Sequence, residues 1–239
     1  MKEAMGGEDR ILIGRETECA LVSELMSQKK NIVIFGEEGV GKSIIMTHVL
    51  REKNPKNFLY SRESKSLKGT LIHSISFHAE SKGYLQKKNI LTLKKMFYVL
   101  LEENPEYVIL DQVGWVEPRY YSFLAYLMER EIPLILLAQG IDKEKVGHLW
   151  LALYNFEKVE ITNLDRSKVE ELIKHYITYF DFKIPQPAKL CEEVFHISKG
   201  NPQIIKQLCG LATDKKYQSK GYLDVKLMDL DRKIQAAIH

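Results

Sequence analysis

The sequence predicts an α/β fold, a parallel sheet covered by helices on both faces in three layers, followed by a small helical subdomain. Three observations predict it. Short apolar, β-branched runs alternate with longer helical segments up to about residue 161, the pattern of strands joined by crossover helices. One strand-to-helix junction carries Gly36-Glu-Glu-Gly39-Val-Gly41-Lys42-Ser43, a glycine-rich turn of phosphate-binding form. Beyond about residue 163 only helical periodicity is visible, so the expected domains are 1–163 and 164–239.

Taken in order, Thr17 to Gln28 places Ala20, Leu21, Leu25 and Met26 on one helical face. Asn31 to Phe35 reads as a strand, and the glycine-rich turn feeds a helix from Gly41 to about Arg51. Asn57 to Tyr60 is a second strand. Leu67 to Lys82 and Ile90 to Leu101 read as helices, broken between by Gly83 and Asn89. Tyr107 to Leu110 is an apolar strand ending at Asp111, and Arg119 to Arg130 is an amphipathic helix. Ile132 to Ala138 is a buried strand ending at Gln139-Gly140; a helix over Lys143 to Leu153 and a strand over Lys158 to Ile161 follow. Asn163 or Asp165 is positioned to cap the next helix, Ser167 to Tyr179. Helices over Pro187 to Ser198, Pro202 to Leu211 and Leu223 to Ile238 complete the chain.

Composition excludes several classes. With 239 residues, 45% hydrophobic and 28% charged, the chain has the balance of a globular protein with a sizeable core. The longest apolar run, Ile132 to Ala138, is seven residues, too short to cross a bilayer. The first ten residues lack the apolar stretch of a secretory signal. Cys19, Cys191 and Cys209 are odd in number and widely spaced, which reads as buried thiols in a reducing cytoplasm. Charge is uneven: Arg51 to Lys95 holds eleven Lys or Arg against Glu52, Glu63 and Glu80, a local excess of eight within a chain whose net charge is +3. Such asymmetry is a cue for an anionic partner.

The turn Gly36 to Ser43 has the chemistry a triphosphate requires. Glycines let successive backbone N–H groups point inward at phosphate oxygens, and the following helix adds its unpaired N–H groups and positive dipole end. In this P-loop Lys42 is expected to reach the β- and γ-phosphates and the Ser43 hydroxyl to ligate Mg²⁺. Gly36, Glu37, Glu38, Gly39, Val40 and Gly41 supply the cradle, with Ile44 next to it. Asp111, ending an apolar strand, is the expected second Mg²⁺ contact, because ligands collect at strand C-termini in such sheets.

With these residues the sequence resembles the AAA+ and STAND superfamilies of P-loop ATPases, most of all archaeal origin-recognition and transposition ATPases. The resemblance covers roughly residues 11 to 212. It implies a three-layer αβα P-loop NTPase core, AAA+-like, with a helical lid, and ATP or ADP with Mg²⁺ as cofactors. Ile11-Leu-Ile13-Gly14-Arg15-Glu16 resembles the box that contacts adenine, which implies nucleotide contacts at Ile13, Gly14 and Arg15. Asp111 matches the Walker B aspartate, and Gln139 stands where the family places its sensor-1 polar residue. Gly200-Asn201-Pro202 resembles the lid signature of STAND members, which implies a nucleotide contact at Pro202.

Departures from the family pattern shape the expected activity. Gln112 stands where the family carries its catalytic Glu; Gln can hydrogen-bond a water but cannot accept its proton at neutral pH. Glu37 or Glu38 are the alternative acids. Gln203 occupies the sensor-2 position, and Trp150 to Phe156 offers no arginine finger, leaving Arg119 and Arg130. Lys42, Asp111, Gln112 and Gln139 are therefore the expected catalytic set of a slow ATPase, a switch more than a motor.

Partners follow from charge and from the resemblance. Lys65, Lys68, Lys82, Lys87, Lys88, Lys94 and Lys95 lie where DNA-handling relatives contact the DNA backbone, so DNA is the expected partner, with ATP-controlled assembly into a homo-oligomer. The alternative is a STAND-type switch acting on a protein. The tail after Leu211 is too short for a winged-helix domain, and no membrane association is expected.

Overall fold

The computed structural model describes residues 12–78, 81–181, 187–219 and 222–238. The expected box residue Ile11 and positions 79–80 of the expected helix over 67–82 lie outside them. The chain divides into two compact units, Met1–Glu37 with Lys42–Ile161 and Glu38–Gly41 with Thr162–His239.

The first unit is built on a parallel sheet of five strands, β1 (Ile32–Phe35), β2 (Leu59–Ser61), β3 (Val108–Val113), β4 (Leu134–Ala138) and β5 (Glu157–Glu160), in the order β2-β3-β4-β1-β5. All pairings are parallel, so every strand delivers its following loop to the same edge. The central strands are continuous apolar runs because both their faces are covered: Leu134 to Ala138 is buried throughout. The edge strand β5 exposes Glu157, Lys158 and Glu160, charges that discourage pairing with another chain.

Helices α1 (Glu16–Ser27), α2 (Lys42–Lys53), α3 (Leu67–His78), α4 (Lys82–Gln86), α5 (Ile90–Glu102), α6 (Pro118–Glu129) and α7 (Lys143–Val146) accompany this sheet. α1 packs on α2, while α3 packs on β2, α4 and α5. The main core joins Leu71, Phe97, Leu110, Phe123 and Leu136 across these layers. Asn89 caps α5, its Oδ1 accepting from Thr92 N at 2.8 Å.

Four local expectations are corrected. The segment expected as one helix over 67–82 is described as α3 (Leu67–His78), with Ser81 outside any helix as the N-cap of α4, and Gly83 lies inside α4 rather than in a break. β3 does not end at Asp111 but runs on to Val113. The helix expected over 143–153 is interrupted at Gly147, whose φ of +59° and close approach to Val116 (2.6 Å from its carbonyl oxygen to an added Cβ) divide it into α7 and a 3₁₀ segment, His148–Asn155. The last correction concerns the second unit, which is not purely helical.

That unit contains α8 (Arg166–Tyr179), α9 (Pro187–Ser198), α10 (Pro202–Leu211) and α11 (Val225–Ile238). A short antiparallel hairpin, β6 (Gln218–Ser219) with β7 (Tyr222–Leu223), precedes α11. Of the two capping candidates Asp165 caps α8, accepting from Lys168 N at 2.9 Å. α10 packs on α8, α9 and α11 around Val169, Leu172, Val194, Ile205 and Leu208, all buried.

Candidate functional site

The loop after β1 turns sharply because three glycines accept backbone angles that other residues avoid: Gly36, Gly39 and Gly41 have φ of +152°, +82° and +104°. α2 starts immediately at Lys42. The Lys42 ammonium folds back along the loop, donating to the carbonyl oxygens of Gly36 and Glu37, each at 2.7 Å. Thr47 steadies the first turn by donating to Ser43 O at 2.7 Å.

Parallel pairing brings the remaining residues to this edge. Phe35 pairs with Ala138, so Gly36 and Gln139 leave adjacent strands, and Gln139 is exposed. β3 lies next to β4, and Leu110 pairs with Leu136 while Val113 pairs with Ala138. One extra residue is therefore inserted at Asp111-Gln112, a bulge that re-aims side chains. Gln112 absorbs it with φ +57° and is the one exposed residue of the strand.

Asp111 is only 4% exposed. Its Oδ2 accepts from the Tyr60 hydroxyl at 3.1 Å and its Oδ1 from Gln112 N at 2.8 Å. Ser43, in the first turn of α2, lies near enough to this carboxyl to lower its pKa, so the two expected metal ligands are neighbours. Burial pushes the Asp111 carboxyl above its ordinary range, opposed by Ser43, by hydrogen bonds from Tyr60 and Gln112 N and by the Lys42 charge. A desolvated carboxylate beside a hydroxyl is a hard oxygen pair suited to Mg²⁺, and the glycine turn with a helix N-terminus suits a polyphosphate. The residues present fit both groups.

The other expected contacts are placed as follows. Gly14 has φ +67°, and its N–H donates to Glu16 Oε1 at 3.3 Å. Arg15 is 5% exposed and bonds Glu18 at 2.8 Å; Ile13 and Ile44 are half-buried. Within the second unit, which includes Glu38 to Gly41, Asn201 Nδ2 donates to Glu38 O at 2.8 Å and Gln203 N to Gly39 O at 3.3 Å. Asn201 Oδ1 caps α10 through the N–H groups of Gln203 and Ile204, with Pro202 at the first helical position. Val40 is buried, whereas Glu37 and Glu38 are exposed. Arg119 and Arg130 are exposed at the two ends of α6; Arg130 lies over the Tyr126 ring at 5.0 Å.

The sequence gives no sign of the Tyr60 bond to Asp111 or of the Asn201 bond to Glu38 O. Asn-Pro before a helical run is a readable start signal, but nothing local to Tyr60 announces a partner 51 positions away.

No protein-family model and no curated protein matches the sequence. Solved structures do resemble the fold. The Walker-type ATPase of Pyrococcus abyssi matches with a TM-score of 0.63 and 16% identity over 95% of this chain and 72% of that one. The Aeropyrum pernix ORC1 protein in complex with DNA matches at 0.67 and 11%, covering 95% and 68%. The replication initiator DnaA bound to AMPPCP and single-stranded DNA matches at 0.58 and 17%, covering 93% and 66%. At such identities the likeness shows the fold alone: this chain shares the architecture of these structures, a five-stranded parallel sheet with helices followed by a mostly helical unit.

Proposed function

We propose that this chain is a slow, Mg·ATP-dependent switch. The carrying observation is the buried Asp111 carboxylate, held by Tyr60 and Gln112 N at the sheet edge where the glycine turn and Lys42 also lie. In this reading the P-loop amides and Lys42 hold the phosphates, Ser43 and Asp111 hold Mg²⁺, and Ile13, Gly14 and Arg15 contact the nucleoside. Mg²⁺ held by Ser43 and Asp111 would supply charge neutralisation at the phosphates. Gln112 and Gln139, exposed at the ends of adjacent strands, orient water without taking its proton. Residues up to 163 form the ATPase core and 164–239 the lid.

The task is DNA-associated work inside the cell, such as replication initiation, loading or transposition targeting, with assembly of like copies. Two of the similar structures are described as DNA complexes, and the lysine-rich segment from Lys65 to Lys95 supplies the positive surface. No helix among the described residues is long and apolar enough to cross a membrane. A STAND-type switch acting on a protein is the second reading, favoured by the Gly200-Asn201-Pro202 turn, whose Asn201 holds Glu38 O.

Calorimetry tests the nucleotide site. ATP with magnesium releases heat on mixing with the wild type, and Lys42→Ala weakens binding at least ten-fold. Unchanged affinity in that variant removes the reading. A DNA shift assay with and without ATP at two salt concentrations tests the partner, and no shift under any of the four conditions removes DNA.

A further inference from the structure

Both side-chain oxygens of Asp111 are held, and one holder lies outside the recognised motifs. Tyr60, in β2, is 6% exposed and donates its hydroxyl to Asp111 Oδ2 at 3.1 Å. Gln112 N occupies Oδ1 at 2.8 Å. The phenol ring is itself fixed by Phe77 of α3, edge-on at 5.9 Å, which also packs on Phe58 at 5.5 Å. The same side of the sheet holds the main chain: Ser64 N donates to Asp111 O at 2.9 Å. Ser64 O in turn accepts from the Tyr120 hydroxyl at 3.2 Å, and that hydroxyl pairs with Thr70 Oγ1 at 2.6 Å.

A buried phenol needs some partner, and any carbonyl would satisfy it. This one donates its hydroxyl to Asp111, the carboxylate expected to contact Mg²⁺. A carboxylate free to rotate would lose orientational entropy on receiving a metal; one clamped at both oxygens has lost it already, the preorganisation that second partners give metal ligands. We propose that Tyr60 is a positioning residue that sets the orientation in which Asp111 receives Mg²⁺ with the nucleotide. This rests on the Mg·ATP reading above.

The test is Tyr60→Phe, which keeps the ring and removes the hydroxyl. ATP affinity is measured by calorimetry in EDTA and across a magnesium titration. The expected result is affinity in EDTA within two-fold of wild type, with the magnesium concentration for half-maximal gain raised about ten-fold, the order expected for one hydrogen bond to a charged group. In an Asp111→Asn background the same change has no further effect, because the partner is already altered. Phe58→Leu loosens the aromatic cluster but keeps the Tyr60 hydroxyl, so it lowers Tm and shifts the magnesium requirement by less than Tyr60→Phe does.

An unchanged magnesium requirement in Tyr60→Phe overturns the proposal. So does equal weakening with and without magnesium, additivity in the Asn background, or a matching shift in Phe58→Leu. Wild-type protein that binds ATP without any gain from magnesium removes the metal site itself, and the proposal with it; a wild-type gain with an unaltered Tyr60→Phe removes Tyr60 alone.

Discussion

Asp111 shows how a residue can be costly to the fold and useful to the site. Its carboxyl is desolvated and its pKa raised, so the native protein binds this proton more tightly than the unfolded chain does. The linkage sign follows: as pH rises through the ordinary carboxylate range, near 4, the unfolded chain gives up its proton first and stability falls until the folded pKa is passed. The penalty is absent at low pH, where both states are protonated, and grows as pH rises through and above the ordinary carboxylate range. Asp111→Asn is therefore expected to raise Tm at pH 7 without magnesium, by about 2–4 °C for each kcal/mol recovered in a chain of this size, and to give no gain near pH 3. A lower Tm at pH 7 refutes the buried-charge account. Gln112 carries the complementary prediction. Its left-handed φ of +57° and its exposure come from the bulge, not from the side chain, so Gln112→Glu keeps the geometry and adds a base. Phosphate release is expected to rise at least ten-fold with ATP affinity within two-fold; an unchanged rate assigns the water to another group. The P-loop residues were readable because their chemistry is local: three glycines, a lysine and a serine within eight positions. The bulge was not, since it exists only in the register between two strands.

At the scale of elements, periodicity found the strands and helices but not what happens at their ends. α9 and α10 begin at Pro187 and Pro202, as expected from proline at the first helical turn. The expected helix over 143–153 failed because its apolar spacing suits a helix, while Gly147 must come within van der Waals contact of Val116, a tertiary demand invisible in a linear window. The hairpin of β6 and β7 is two residues a side, too short for alternation to register. Asn201 is where an element boundary serves a second purpose: one oxygen caps α10, while the amide nitrogen holds Glu38 O. These roles separate by substitution. Asn201→Ala loses both and is expected to cost about 1 kcal/mol from the cap, read by urea denaturation. Asn201→Asp retains the cap acceptor, so stability returns toward wild type, but it replaces a donor by a negative charge beside the loop proposed to bind ATP. ATP affinity is then expected to fall below that of the wild type. Full recovery of affinity in the Asp variant shows that the amide donor is irrelevant to the nucleotide.

At the scale of the whole molecule the modest net charge of +3 conceals a basic region carried on α3, α4 and α5 and the loops that join them. Its lysines are not equivalent. Lys68 donates to Gln86 O at 3.0 Å, Lys88 lies over the Tyr84 ring at 4.2 Å and Lys94 over Phe123 at 5.7 Å, so these also serve packing within the first unit. Lys65, Lys82, Lys87 and Lys95 are exposed and are the better candidates for phosphate contact. If they meet duplex DNA, each contact releases condensed counterions, and the logarithm of the binding constant falls against the logarithm of salt with a slope near −0.9 per phosphate neutralised. Replacing Lys87 and Lys95 together by Gln is then expected to make that slope shallower by about 2, with little change in Tm because neither side chain is buried. Fluorescence anisotropy with labelled duplex between 50 and 200 mM salt, with ATP and magnesium present, reads both the slope and its change. A single sequence suffices, since backbone contacts do not distinguish bases. Wild-type binding with an unaltered slope in the double variant moves the DNA contact off these helices, while loss of ATP binding in that variant marks the substitution as structural and the assignment of these lysines as wrong.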